Sequence, residues 1–142
     1  MRPWKIQSHS LNQIGMTLVE IMIVMAIITS LLGVLLPIVF ERKKKADYEQ
    51  TKLIMGQVMN SLNMYNTDCG KFPSSLEFLS KPDPECSNWG PEAYMKKVPP
   101  DGWKHPFQYS AEGSSFVLKS LGADGKEGGD GYNKDISSED LN

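Results

Sequence analysis

The feature that most constrains this chain is an apolar run from Met16 to Phe40, which holds no basic side chain and one acid, Glu20. As an α-helix the run would be about 37 Å long, enough to cross a hydrocarbon layer about 30 Å thick. A buried core helix is the alternative, but the rest of the 142 residues holds too little apolar material to cover it on all sides. The run therefore predicts a membrane-spanning helix at residues 16–40.

The first residues of this run resemble a processing signal. Residues 15–20, GMTLVE, resemble the type IV prepilin signal, although Met16 stands where that family usually has Phe. The resemblance implies that residues 1–15 are a leader, which a prepilin peptidase removes after Gly15 before it methylates the amine of Met16. Glycine suits such a site because the backbone can lie extended in the protease without a side-chain clash. We expect Thr17 to turn its hydroxyl onto helical carbonyls.

Two residues of the apolar run bear on assembly. A carboxylate in lipid is costly unless it is paired, so Glu20 either lies at the membrane surface, is protonated, or has a partner. The resemblance to pilins implies the last of these: Glu20 pairs with the amine of Met16 in the next subunit of a helical filament. Pro37 kinks or opens the helix. It is either a tolerated membrane-helix proline or, by the same resemblance, a point where the helix melts on entering the filament.

A basic run from Arg42 to Lys45 follows the apolar segment. We interpret it as a solvated collar at the membrane surface that contacts anionic lipid. Both flanks of the apolar run are basic, so charge alone leaves the orientation open. The resemblance decides the orientation, because the leader must stay in the cytoplasm, where the peptidase cuts it. It therefore implies a single-pass inner-membrane protein with residues 41–142 in the periplasm. The net charge of −2 argues against nucleic-acid binding.

The apolar run should continue into an amphipathic helix. Ile54, Val58, Leu62 and Tyr65 fall on one helical stripe. Residues 66–70 read as its C-terminal stop, with Gly70 available for a left-handed conformation.

Smaller elements should follow the long helix. Ser74 and Glu77 form a capping-box pattern that predicts a short helix over residues 74–79. Residues 107–109 and 116–118 predict a hairpin whose turn is 111–114. The tail from residue 121 onward reads as turns throughout.

The tail is dense in carboxylates and glycines. From Leu121 to Asn142 there are six acids and two lysines, a net charge of −4. Calcium takes about six to eight oxygen ligands, and such a segment supplies them. The spacing is not that of an EF-hand, and composition alone favours a solvated loop over a metal site.

The tail and the segment before the hairpin together resemble the major pseudopilins of type II secretion systems. The matching strings are SLGADGKEGGDGYNKDI at 120–136 and DGWKHPFQY at 101–109. The family usually has Pro and Gly where this chain has Gly102 and Lys104. The resemblance implies an α+β, type IV pilin-like fold, in which a long N-terminal helix, transmembrane in its first half, packs on a small C-terminal antiparallel sheet with a calcium-binding loop. Carried over position by position, the implied calcium ligands are the Leu121 carbonyl, Asp124 and Asp135, with Asp130 and Asn133 as weaker candidates.

Two cysteines lie in the segment that this topology places in the periplasm. An oxidising compartment favours a disulfide between Cys69 and Cys86, which would pin the short helix and its loop to the long helix. Two free buried thiols are the alternative. We interpret Trp103 and Tyr109 as core aromatics rather than a sugar or peptide platform, and His105 as structural.

The resemblance implies a structural subunit rather than an enzyme. Such a subunit polymerises into a periplasmic filament that helps export folded proteins across the outer membrane. The implied partners are further copies of the chain, the prepilin peptidase, minor pseudopilins, an inner-membrane assembly platform and a secretion ATPase. One alternative is a type IV pilin or minor pilin-like subunit in adhesion, motility or DNA uptake. Another is a membrane-anchored, calcium-dependent binding module that never polymerises.

Overall fold

The computed structural model describes residues 15–141, so the predicted leader lies outside the described residues except for Gly15. The long helix α1 runs from Leu18 to Cys69 over 52 residues. The described chain forms two compact units that divide between Ile38 and Val39. Each unit is described by itself.

The first unit is the apolar part of α1. An 18-residue window of the helix has a mean hydropathy of 2.7 with none of it buried. By length and composition α1 is therefore able to cross a membrane. Pro37 lies inside the helix, and the helix is unbroken on both sides of it.

The second unit is built on the last part of α1. Thr51, Met55, Val58, Leu62 and Tyr65 are fully buried and follow one face of the helix. The predicted stripe was wrong in one position, because Ile54 is only partly buried and Met55 takes its place in the core. Thr51 lies on this buried face as well, so its hydroxyl is inside the second unit.

The helix ends where the stop signal predicted. Gly70 has φ +72°, and its N–H donates to the Asn66 carbonyl at 2.8 Å. The short helix is a single 3-10 turn, Leu76–Leu79. The predicted capping box was wrong: the cap is Ser75 rather than Ser74, and Ser75 is extended and accepts from the Glu77 N–H at 3.3 Å. The turn therefore begins at Leu76, two residues later than predicted.

A three-stranded antiparallel sheet completes the unit, with strands β1 at Gln108–Glu112, β2 at Ser115–Ser120 and β3 at Ile136–Ser137, in the order β1-β2-β3. The hairpin is confirmed, but its turn is shorter than predicted. Ala111 and Glu112 belong to β1 and pair with Phe116 and Ser115. The turn is therefore Gly113 and Ser114, with Gly113 at φ +58°.

The sequence predicted turns throughout the tail, and this prediction was wrong. Strand β3 pairs Ile136 with Ser120 of β2, and 3-10 turns occupy Gly131–Asn133 and Ser138–Leu141. The buried apolar residues of the sheet and the short turn, Leu79, Leu118 and Ile136, join those of α1 in one core. The predicted α+β architecture, a long helix packed on a small antiparallel sheet, is confirmed.

Candidate functional site

The first turn of α1 contains a reciprocal capping pair. Because the helix begins at Leu18, Thr17 stands at the N-cap position. Its Oγ1 accepts from the Glu20 N–H at 3.2 Å, and Glu20 Oε2 accepts from the Thr17 N–H at 3.4 Å. This is a capping box, and it stabilises the helix start. The predicted role of Thr17 as a donor to helical carbonyls was wrong, since an N-cap hydroxyl faces unpaired N–H groups instead.

The residues next to this capping box are open to their surroundings. Met16 is 65% exposed, and a Cβ added at Gly15 would meet no atom of the described residues within 4 Å. Packing among residues 15–141 therefore does not require glycine at position 15. A requirement for glycine there would come from processing rather than from packing.

The tail segment from Leu121 to Asp135, here called the tail loop, is closed by contacts between its two ends. The Ala123 N–H donates to the Tyr132 carbonyl at 2.9 Å. Gly122 has φ +67°, and a Cβ there would come within 2.7 Å of the Asn133 backbone. Only glycine allows this approach, so the tail loop depends on Gly122 to bring its first residues against its last ones.

The predicted calcium ligands lie along this loop but do not form one cluster of carboxylates. Asp124 Oδ1 accepts from the Lys126 N–H at 3.1 Å, and Asp135 Oδ1 accepts from the Gly128 N–H at 3.2 Å. Asp130 and Asn133 are exposed. Within residues 15–141 no three acidic, histidine or cysteine side chains come together in a way that could hold a metal ion.

The donor chemistry nevertheless fits calcium. Each candidate offers an oxygen, and the closed loop brings the backbone carbonyls of Asn133 and Lys134 against Gly122. Lys119 Nζ lies 3.8 Å from Asp135 Oδ2, so one carboxylate is already partly neutralised. The residues that would hold a calcium ion here offer carboxylate oxygens from Asp124 and Asp135 and a backbone carbonyl oxygen from Leu121.

A buried carboxylate supports the tail loop from the side of the sheet. Asp101 is fully buried; its Oδ1 accepts from the N–H groups of Trp103 and His105 at 3.0 and 2.8 Å. Its Oδ2 accepts from Ser120 Oγ at 2.6 Å. Asp101 therefore joins the turn before β1 to the end of β2, where the tail loop begins.

His105 extends this network into the tail loop; the sequence suggested a structural role for it but not which groups it contacts. Its Nδ1 lies 3.2 Å from the Gly122 carbonyl oxygen, and a Cβ at Gly125 would come within 3.2 Å of the ring. The one sign in the sequence that His105 and the tail loop belong together was that residues 101–109 and residues 120–136 both resemble the same family. Aromatic rings also surround this region, since Tyr48 lies 6.5 Å from Trp103 and 6.0 Å from Tyr132 between ring centroids.

The turn after Asp101 approaches α1 closely. The Gly102 N–H donates to Thr51 Oγ1 at 2.9 Å, and Thr51 Oγ1 donates to the Asp47 carbonyl at 2.8 Å. A proline at position 102 could not donate this bond. The other departure from the family pattern is Lys104, which stands where the family usually has Gly. Its φ is +75°, in the region that glycine occupies most easily.

Replacing Gly102 by Ala should lower the free energy of unfolding by about 3 kcal/mol. The added Cβ would lie 2.1 Å from the Asp47 carbonyl oxygen, and helix backbone cannot move aside cheaply. Urea denaturation would measure the loss. Gly56→Ala is the matched control, because its Cβ meets no atom within 4 Å and alanine favours a helix. Equal stability of the two variants would contradict this packing.

The end of α1 is fastened to the following segment by a disulfide. Cys69 and Cys86 are bonded, with their Cα atoms 5.3 Å apart, which is the pairing that the sequence favoured. The Tyr65 hydroxyl donates to the buried Asp83 carboxylate beside it. Burial, then the bond to Asp83, raises the pKa of Tyr65 well above its ordinary value.

Two further polar contacts hold the same segment. The Tyr94 hydroxyl donates to Asp68 Oδ2 at 2.8 Å, and burial followed by this bond raises the pKa of Tyr94. Trp89 Nε1 donates to the Phe78 carbonyl at 2.8 Å. The segment between the short turn and the sheet is therefore held by side chains rather than by regular secondary structure.

Two family models match the chain. The model described as "Type II secretion system (T2SS), protein G" matches residues 38–139. The model described as "Prokaryotic N-terminal methylation motif" matches residues 10–36. The first covers the second compact unit and its tail loop, and the second covers the start of α1.

Similar proteins carry the same description over nearly their whole length. The type II secretion system core protein G of Pseudomonas aeruginosa is 39% identical over 137 residues, which cover 91% of this chain and 96% of that protein. The protein of the same name from Vibrio cholerae is 35% identical, covering 89% and 92%. A crystal structure of the major pseudopilin from the type 2 secretion system of enterohaemorrhagic Escherichia coli has a TM-score of 0.57 and 25% identity, covering 70% of this chain and 91% of that one.

Proposed function

Because this chain belongs to the type II secretion system protein G family, we propose that it is the major structural subunit of a pseudopilus, a periplasmic filament that helps export folded proteins across the outer membrane. The observation that carries the proposal is the family match over residues 38–139. The signal and the apolar helix are shared by all pilin-like proteins, whereas the protein G match extends over the sheet and the tail. It favours a pseudopilin over a type IV pilin of adhesion, motility or DNA uptake.

Assembly in this proposal depends on the first turn of α1. The peptidase cuts after Gly15, and the new amine of Met16 pairs with Glu20 of the neighbouring copy. The methylation-motif match supports the processing step. A carboxylate in lipid requires such a partner, and in the single chain the Glu20 carboxylate has only the Thr17 N–H as its hydrogen-bond partner among the described residues.

The proposed topology follows from the processing step. The leader stays in the cytoplasm with the peptidase, α1 crosses the inner membrane, and the second unit lies in the periplasm. In this arrangement a cytoplasmic secretion ATPase and an inner-membrane platform add subunits, and minor pseudopilins join the same filament. The role proposed for this chain is structural rather than catalytic.

We further propose that the tail loop binds calcium through the Leu121 carbonyl, Asp124 and Asp135, with Asp130 and Asn133 as weaker contributors. The bound ion would neutralise carboxylates in a tail loop whose net charge is −2 and would link folding of the loop to metal occupancy. Gly122 closes the tail loop, because it allows the two ends of the loop to come together. Asp101 and His105 hold the first residues of the loop in place.

Removing calcium should loosen the tail loop. We expect EDTA to lower the melting temperature of the full chain in detergent by several degrees and to expose the loop to protease, because the loop has few apolar contacts. Added calcium should reverse both effects. The double variant Asp124→Asn with Asp135→Asn should show no response to EDTA, while Asp140→Asn should respond like the wild type. An identical melting temperature and protease pattern with and without EDTA would contradict the site.

The function can be tested in the strain of origin after its gene for this chain is deleted. Variants of the chain are then supplied to the deletion strain, and the amount of secreted exoprotein is measured. The wild-type chain and Glu49→Ala, which removes an exposed glutamate of α1, should restore secretion of a folded exoprotein. Glu20→Ala should fail because it removes the partner of the Met16 amine. Gly15→Val should fail because the leader is retained. Secretion that is normal in the deletion strain, or restored by Glu20→Ala, would contradict the proposal.

A further inference from the structure

A groove on the second unit combines an apolar floor with a basic rim. Its floor is Leu76, Val98 and Phe107, its rim is Lys97 and Lys104, and its volume is about 380 Å³. We call these five residues the lysine groove. The floor residues also pack against the core of the unit, so the groove is a fixed feature of the fold.

The two rim lysines carry uncompensated charge. Both are exposed, and within residues 15–141 neither forms an ion pair; Lys45, Lys52, Lys96, Lys126 and Lys134 share that absence, but none of them borders the apolar floor of the groove. Lys104 is held at φ +75° in the turn that its N–H closes with the Asp101 carbonyl, a conformation that is unfavourable for a residue with a side chain. The fold therefore keeps a lysine at this rim where glycine would be easier to accommodate.

The same unit carries a surface of opposite charge. Glu139 and Asp140 are adjacent and exposed in the 3-10 turn Ser138–Leu141, and we call this pair the acidic turn. Neither residue forms an ion pair in the part of the chain that the structure describes, and neither belongs to the proposed calcium site. The rest of the tail, from Leu121 onward, has a net charge of −2, which adds to the local negative potential.

We propose that the lysine groove binds the acidic turn of the neighbouring copy in the filament. This proposal rests on the proposed function, because a filament joins its subunits head to tail. Such an interface needs two different, complementary surfaces on one chain, and the second unit offers both. The paired charges fix the register between neighbouring copies. The apolar floor, once covered, is removed from water.

Charge reversal tests the pairing in the full chain in its native membrane. Lys97→Glu with Lys104→Glu should reduce the amount of sedimentable filament roughly tenfold, because it sets like charges against each other. Glu139→Lys with Asp140→Lys should do the same. All four substitutions together should restore the filament yield to within about twofold of the wild type, since the attraction is re-formed with its signs exchanged.

Two controls separate the groove from net charge and from folding. Lys81→Glu with Lys96→Glu makes the same change in net charge at exposed lysines outside the groove and outside the tail loop and should leave the filament yield within about twofold of the wild type. The melting temperature of every variant should stay close to that of the wild type. A variant that melts early is replaced by its alanine counterpart, for which a smaller loss of filament in the same direction is expected.

The outcomes distinguish this proposal from the function on which it rests. Filaments of normal yield from Lys97→Glu with Lys104→Glu would overturn the groove assignment and leave the filament role intact. Loss of filaments without rescue by the fourfold reversal would also overturn it, because the partner would then be something other than the acidic turn. An equal loss in the control pair would show an effect of net charge alone. Absence of filaments from the wild-type chain would contradict the proposed function itself.

Discussion

Replacing both Cys69 and Cys86 by Ser should lower the free energy of unfolding of the second unit by about 3 kcal/mol. The disulfide closes a loop with a sequence separation of 17, and its loss gives that loop more freedom in the unfolded chain. The regular structure inside the loop is a single four-residue turn, so little else limits this freedom. Urea denaturation of the full chain in detergent, followed by tryptophan fluorescence, would measure the effect.

The disulfide prediction has two internal checks. Treatment of the wild type with a reductant should reproduce the loss seen in the double variant, and each single serine variant should match the double one. The segment that carries Asp83 should then become more sensitive to protease, because its side-chain bond to Tyr65 is held by the same loop. An unchanged urea midpoint in the double variant would contradict the stabilising role of the bridge.

Replacing Asp101 by Ala should lower the free energy of unfolding by about 4 kcal/mol. The carboxylate is fully buried and accepts from two backbone N–H groups and the Ser120 hydroxyl. Alanine leaves these donors without an acceptor inside the protein, which costs more than the bonds themselves contribute. Because His105 links this network to Gly122, the tail loop should loosen as well.

Related variants show whether the carboxylate acts through these bonds. Asp101→Asn keeps an acceptor oxygen for the backbone N–H groups and should lose about half as much stability. Ser120→Ala should lose about 1 to 2 kcal/mol, because it removes the bond to Asp101 and the longer bond from the Gly122 N–H. Asp140→Ala, at an exposed carboxylate, should change stability by less than about 0.5 kcal/mol. A loss from Asp101→Ala no larger than that from Asp140→Ala would refute the network.

Local patterns in the sequence were sufficient for the elements that depend on near neighbours. The helix from the membrane run to Cys69 and its stop at Gly70 follow from composition and from the glycine that a left-handed residue requires. Val58, Leu62 and Tyr65 were predicted on the buried face because helical periodicity determines it. The hairpin was recognised from two short apolar segments, although its turn was placed too broadly.

Elements that depend on distant residues were beyond such patterns. Strand β3 has two residues, too few for alternation to be visible, and it exists because Ile136 pairs with Ser120 on β2. Ser75 rather than Ser74 caps the short turn because the chain is extended at that residue. Thr17 was misread because the first residue of α1 could not be fixed from an apolar run alone.

The tail loop shows the same division. Its acidic and glycine-rich composition suggested oxygen ligands, but only the structure shows that Gly122 brings Asn133 against the start of the loop. The support from Asp101 and His105 spans distant parts of the sequence, so no local signal could reveal it. Residues 101–109 and residues 120–136 both resemble pseudopilins, but that resemblance does not indicate that the two segments are in contact.

Electron microscopy of cells that overproduce the chain tests whether it is a filament subunit. We expect periplasmic filaments from the wild-type chain, built from subunits that begin at Met16. We expect none from Glu20→Ala, which removes the pairing group from lipid, and wild-type filaments from Glu49→Ala. Failure of the wild-type chain to form filaments when the prepilin peptidase and the assembly platform are present, or equally abundant filaments from Glu20→Ala, would contradict this role.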